Sequence, residues 1–166
     1  MRVLLFTVLA TIGLAGSALA EPMATVASVE VTLSPELSKK AVEEYGVRDV
    51  ERLARDLRQD VVREMEKTGV LAGGRLELVL VDAQPNRPTF KQLGDRPGLS
   101  LQSFGVGGAT IEGRAISIDG EVTPVAFKWY ETDIRQAQYT TTWSDAQFAM
   151  QRFASRLGRG EAYAAR

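Results

Sequence analysis

The chain has 166 residues, 20 Lys+Arg against 21 Asp+Glu, and neither cysteine nor histidine. Those two absences exclude disulfide cross-links, Cys/His zinc sites, a Ser-His-Asp triad and a cysteine nucleophile. The near-neutral, mixed-sign balance argues against a dedicated nucleic-acid binder, which carries a basic patch.

Met1-Arg2 followed by the apolar run Val3 to Ala15 and the small-residue site Ala18-Leu19-Ala20 has the three-part plan of a cleaved secretory signal peptide over residues 1–20. The run is too short for a membrane anchor, which needs about 20 apolar residues. Removing the leader leaves 146 residues, the size of one domain. Only Arg2 is charged in the removed piece, so 19 basic stand against 21 acidic residues, a balance of −2. Without cysteine the mature chain has no site for a lipoprotein's acyl group, and no second apolar segment has bilayer length. A soluble protein, periplasmic or secreted, is the expectation.

Ala27 to Leu33 alternates Val29, Val31 and Leu33 against polar residues, the period of a half-buried strand. Ser34-Pro35-Glu36 reads as a helix cap with a first-turn proline, and Gly46 divides this short piece from a longer helix over 49–68. On that helix Val50, Leu53, Leu57, Val61 and Met65 form one apolar stripe. Glu51/Arg55 and Arg52/Asp56 are expected surface pairs, and Gly69 is placed as a left-handed end. Arg75 to Val81 is a strand with apolar side chains for both faces, and strand-helix-strand order predicts a parallel pair with a right-handed crossover.

Residues 82–108 show little regular structure, apart from a short strand suggested by Leu99 and Leu101. Two strands, 109–118 and 121–131, flank Asp119-Gly120, a two-residue hairpin signal. Gly113 suggests a bulge, and Pro124 an edge strand or a bulge. Thr142-Trp-Ser-Asp145 opens the last helix in the manner of a capping box. Ala146, Ala149, Met150, Phe153 and Leu157 line one face of it, with Phe148 opposite. The expected architecture is an α+β two-layer sandwich: a four-stranded mixed sheet with two main helices on one face, in the order β-α-β-long loop-β-β-α. The domain spans 21–158, and residues 159–166 form a frayed tail.

Asp82, Asn86, Arg87, Thr89 and Gln92 follow the predicted central strand, where α/β sheets place ligand sites. Arg87 has the fork geometry for a carboxylate or phosphate, and Asn86 and Gln92 are neutral hydrogen-bonding partners. Turn chemistry explains the same residues, because two prolines fix φ and Asp and Asn bond nearby backbone; it is the preferred reading. Gly105-Val-Gly-Gly108 has amides for an anion but lacks the Lys-Ser/Thr of a phosphate loop, so a strand-entry turn is the simpler reading. Trp129, Tyr130 and Trp143 are candidates for an aromatic wall, weighed against ordinary core anchoring. No catalytic motif, calcium loop or metal ligand set is recognisable, and no cofactor is expected.

Asp82-Ala-Gln-Pro-Asn-Arg-Pro-Thr89, Gly107-Gly108-Ala109 and Trp143-Ser-Asp-Ala with Arg152-Phe-Ala together resemble small exported bacterial proteins of uncharacterised function. The resemblance implies a periplasmic setting and an α/β build, and it assigns no catalytic residue. The expected function is a non-enzymatic module that binds an envelope protein or a small ligand, not nucleic acid. The alternatives are a small carboxylate hydrolase using Asp82 and an assembly accessory that adds a sheet edge to its partner.

Overall fold

Alternation of Val29, Val31 and Leu33 toward one side makes β1 (Ser28–Leu33) the first element of the computed structural model, which describes residues 28–161, with the backbone alone at 138 and 139. The expected leader and tail residues 162–166 lie outside the described residues. Ser34 then caps α1 (Pro35–Lys40), its hydroxyl accepting the Leu37 N–H at 3.0 Å, with Pro35 in the first turn. A π-helical turn (Ala41–Tyr45) ends where the Gly46 N–H reaches Ala41 O. Gly46, at φ +97°, redirects the chain into α2 (Val47–Thr68).

The stripe Val50, Leu53, Leu57, Val61 and Met65 is fully buried along α2, and Gly69 closes the helix at φ +70°. The helix begins two residues before the expected Asp49. Its ion pairs are Asp49–Arg52, Asp60–Arg63 and Glu64–Lys67, three residues apart rather than the four of Glu51/Arg55 and Arg52/Asp56. Such exposed pairs contribute a few tenths of a kcal/mol each (roughly 0.2–0.5).

β2 (Arg75–Gln84) pairs parallel with β1 and antiparallel with β3 (Gly108–Ile116), which pairs antiparallel with β4 (Val122–Tyr130). The sheet order is β1-β2-β3-β4. α2 packs over β1, and α4 (Ser144–Gly158) packs over β3, β4 and α2, so both long helices cover one face. Leu76, Leu78, Leu80, Ile111 and Val125 meet Ala146, Ala149, Met150, Phe153 and Leu157 in the core. The α+β two-layer reading is the observed fold.

Four local expectations are corrected. No bulge occurs at Gly113, where the β3–β4 register runs unbroken; the irregularity lies on β2 between Leu80 and Asp82. That extra residue, Val81, has a clear consequence. Without it Asp82 would continue the inward parity of Leu76, Leu78 and Leu80, whereas with it the carboxylate stands on the outer face beside Thr110. The hairpin tip is three residues, not two: the Ser117 N–H reaches Glu121 O, and Gly120 takes φ +85° after a turn closed onto Ser117 O. The 82–108 segment also holds more structure than expected. β2 continues to Gln84 and a short helix α3 (Phe90–Asp95) follows, whereas Leu99 and Leu101 form no strand and lie exposed. Finally, α4 starts from Trp143 with no side-chain cap of its own, so the Thr142 capping box does not form.

The 22 residues of α2 span about 33 Å and give the domain two poles. Ser28 pairs with Arg75, and Gly158 lies against Glu64 and Thr68, so both ends of the described chain sit at the C-terminal pole of α2. Gly46, residues 85–107 and Trp143 form the opposite pole, called here the loop pole.

Candidate ligand-binding pole

Asn86 is the centre of this pole and is 1% exposed. Its Nδ2 donates to Asp145 Oδ2 at 2.5 Å and to Gly105 O at 3.2 Å, while its Oδ1 accepts the Asp145 N–H at 2.9 Å. Its backbone N–H donates to Thr142 O, and its carbonyl accepts the Gly105 N–H. Asn86 therefore caps α4 from 59 residues away and closes the 86–105 loop at the same time. The Gly107 N–H gives the Asp145 carboxylate a second donor at 2.9 Å. The glycine run does meet an anion, and that anion is the protein's own buried Asp145. A Cβ at Gly107 would sit within 2.6 Å of Gln84 O and 2.9 Å of Asn86 Oδ1, so the close approach requires glycine.

The other loop candidates are likewise engaged within the fold. Arg87 Nε donates to Thr140 O at 2.5 Å and its NH1 to Leu101 O at 3.2 Å, with the guanidinium 5.8 Å above the Phe104 ring. Thr89 and Gln92 form a capping box for α3: the Gln92 N–H donates to Thr89 Oγ1, and the Thr89 N–H to Gln92 Oε1. Asn86, Arg87, Thr89 and Gln92 thus come together as the internal scaffold of an ordered loop.

Asp82 lies apart, on the outer sheet face. It accepts Lys40 Nζ at 2.7 Å and Tyr130 OH at 2.6 Å, and Thr110 Oγ1 lies 3.1 Å from that hydroxyl. Burial alone would raise the Asp82 carboxyl, but the hydrogen bonds from Lys40 and Tyr130 and the Lys40 charge hold it below the usual carboxylate range. The bond to Asp82 raises Lys40. Burial and then the bond to Asp82 push Tyr130 up to about 12. A general acid needs the opposite shift, and the groups on Asp82 are an ammonium and a phenol rather than a second carboxylate.

These directions set a pH profile. The Asp82 contribution is present above its unfolded value and is lost as pH falls through the depressed folded value. Tyr130 and Lys40 hold their protons more tightly when folded, so their contribution is lost as pH rises through about 10 to 12. Urea midpoints measured across pH for the wild type and Tyr130→Phe check this. The variant is expected to lose less stability over the alkaline limb; superimposable limbs would contradict the assignment.

The aromatic trio does not form a wall. Neighbouring residues on a strand point to opposite faces, so Trp129 faces the helix layer and Tyr130 the outer face. Trp129 packs edge-on to Phe148 at 5.1 Å, with the Arg152 guanidinium near both rings. Trp143 stands at the loop pole, 9% exposed and edge-on to Tyr45 at 5.6 Å. Its Nε1 is buried and has no hydrogen-bond partner among the described residues.

The pole's open surface is made by residues that sequence reasoning missed. A groove of about 610 Å³ runs between the start of α2, the start of α3 and Thr142-Trp143. Val47, Phe90 and Leu101 border it with exposed apolar side chains, Phe90 being 85% exposed. Arg48, Arg52 and Lys91 add charge, and Trp143 and Tyr45 contribute aromatic surface. An adjoining hollow of about 340 Å³ carries Leu99 and Phe104, also exposed. No local pattern flags these positions, since nothing in a polar loop says which apolar side chain the fold leaves uncovered. A shallower depression of about 700 Å³ on the outer sheet face carries Glu30, Glu77 and Glu112 around Val79, with Glu77 bridged by Arg75 and Arg114.

Among the described residues no cluster of His, Cys, Asp and Glu could hold a metal ion, and no helix is long and apolar enough to cross a membrane. No protein-family model matches the chain, and the comparison with curated proteins found no match.

Proposed function

We propose that this chain is an exported, non-enzymatic binding module of the cell envelope, periplasmic or secreted, that meets its ligand or partner with the loop pole. The leader-like residues 1–20 motivate the location. One observation carries the binding reading: exposed Phe90 and Leu101, on a loop anchored by Asn86, Arg87 and Thr89, border a single groove with exposed Val47 at the start of α2. Apolar side chains on an already ordered backbone lose little further conformational entropy on binding, and contact releases their hydration water.

The competing readings have less support. For the hydrolase, Asp82 has its carboxylate held down by Lys40 and Tyr130. For edge addition, Arg58 Nε occupies the Val29 carbonyl on edge strand β1, and Pro124 removes a donor from edge strand β4.

A photoreactive benzoylphenylalanine placed singly at positions 90, 101, 118 and 122 tests this in the intact producing cell. The first two positions are expected to give discrete adducts and the hairpin-tip positions none. Adducts only from 118 or 122, or none from any position, would move the contact surface elsewhere.

A further inference from the structure

We infer that the groove beside the start of α2 takes a free single-chain anionic amphiphile, a carboxylate head carried on an alkyl chain. This rests on the proposed reading of the loop pole as the binding surface and adds the chemistry of the occupant.

The charge around the groove is one-sided. Arg48, Arg52 and Lys91 line it, with Asp49 as the one acidic side chain among the lining residues. Asp49 lies 3.8 Å from Arg52, and Lys91 is held by Asp95 at 2.7 Å. Arg48 makes no ion pair among the described residues, so a carboxylate arriving there meets an uncommitted guanidinium. The chain as a whole is weakly acidic, so this local cationic bias runs against its average.

The rest of the groove suits an alkyl chain. Val47, Phe90 and Leu101 offer aliphatic and aromatic surface, and Pro88 continues it. A volume of about 610 Å³ is the size of small-molecule sites rather than of a protein–protein footprint. Trp143 lines the groove and is nine-tenths buried, so its indole signal reports the groove's occupancy. The combination of a cationic end and apolar walls matches an anionic amphiphile. A flat bilayer would leave the recessed Trp143 untouched.

Sodium decanoate, monomeric well below its micellar range, is the probe for the intact mature protein. Binding is followed by calorimetry and by the indole N–H resonances, with Trp129→Phe assigning the Trp143 signal. Saturable one-to-one binding is expected to shift the Trp143 indole signal and leave that of Trp129 in place. Arg48→Gln with Arg52→Gln, both on the exposed side of α2, is expected to weaken decanoate about tenfold at unchanged melting temperature. Acetate and 1-decanol are expected to bind far more weakly, since each lacks one half of the amphiphile. No saturable decanoate binding, or equal affinity in the wild type and the double variant, would overturn the inference. So would binding confined to phosphatidylglycerol–phosphatidylcholine vesicles, which would point to a membrane surface. Discrete protein adducts from positions 90 and 101 without decanoate binding would overturn the amphiphile alone and leave the loop pole as the contact surface.

Discussion

Asn86→Ala is expected to destabilise the protein by about 3 kcal/mol, within the range for stranding a buried charge. The substitution removes three side-chain hydrogen bonds at once: two to Asp145 and one to Gly105 O. Asp145 is 8% exposed, and its carboxylate would keep only the Gly107 N–H among the partners described here. The first turn of α4 would also lose its cap, a further contribution of about 1 kcal/mol that is included in that total. Chemical denaturation of the variant against the wild type measures the sum. Asn86→Asp discriminates the mechanism, because it retains an acceptor for the Asp145 N–H but sets two carboxylates side by side. It is expected to be at least as damaging at neutral pH and to recover partly in mild acid.

Gly113→Ala is expected to cost about 3 kcal/mol, at the upper end of overpacking penalties. A Cβ at that position would collide with the Glu77 carbonyl oxygen and come within 2.9 Å of Leu78 Cα. Both are backbone atoms of the central strand β2, so neither can swing aside as a long side chain would. β2 and β3 would have to separate locally, breaking ladder hydrogen bonds on the two strands that hold the sheet together. Thermal melting reads the loss. Gly94→Ala is the matched control, since a Cβ there meets nothing within 4 Å.

The parts of this fold governed by short-range regularity were legible in the sequence. The α2 stripe, the Ser34 cap, the Gly69 terminus and the apolar face of α4 each follow from residues within a turn or two of one another. The two-layer architecture followed from their order. What the sequence concealed depends on distant partners. Asn86 looked like turn chemistry or a ligand donor, but its role is set by Asp145, 59 residues on, and that of Arg87 by Thr140, 53 residues on.

Two signals are present in the sequence but point elsewhere. Thr89 and Gln92 have the spacing of a capping box, yet α3, at six residues, is too short to show an apolar period and draw attention to them. Gly113 suggests a bulge, but its smallness serves close strand contact instead, and the bulge falls at Val81 in an apolar run that gives no warning. The groove itself was invisible for a simpler reason. Exposure of Val47, Phe90 and Leu101 is a property of the assembled pole, and each looks locally like an ordinary core residue.

The central claim is that the loop pole is a preformed surface locked by Asn86, and amide hydrogen exchange on the wild type and Asn86→Ala tests it most directly. The Gly105 and Gly107 amides, donated to Asn86 O and to the Asp145 carboxylate, are expected to exchange nearly as slowly in the wild type as those of β2. Both should become fast in Asn86→Ala while the strand amides remain protected. Rapid exchange of Gly105 and Gly107 in the wild type would mean that the loop opens freely, and the account of a rigid apolar display would be wrong.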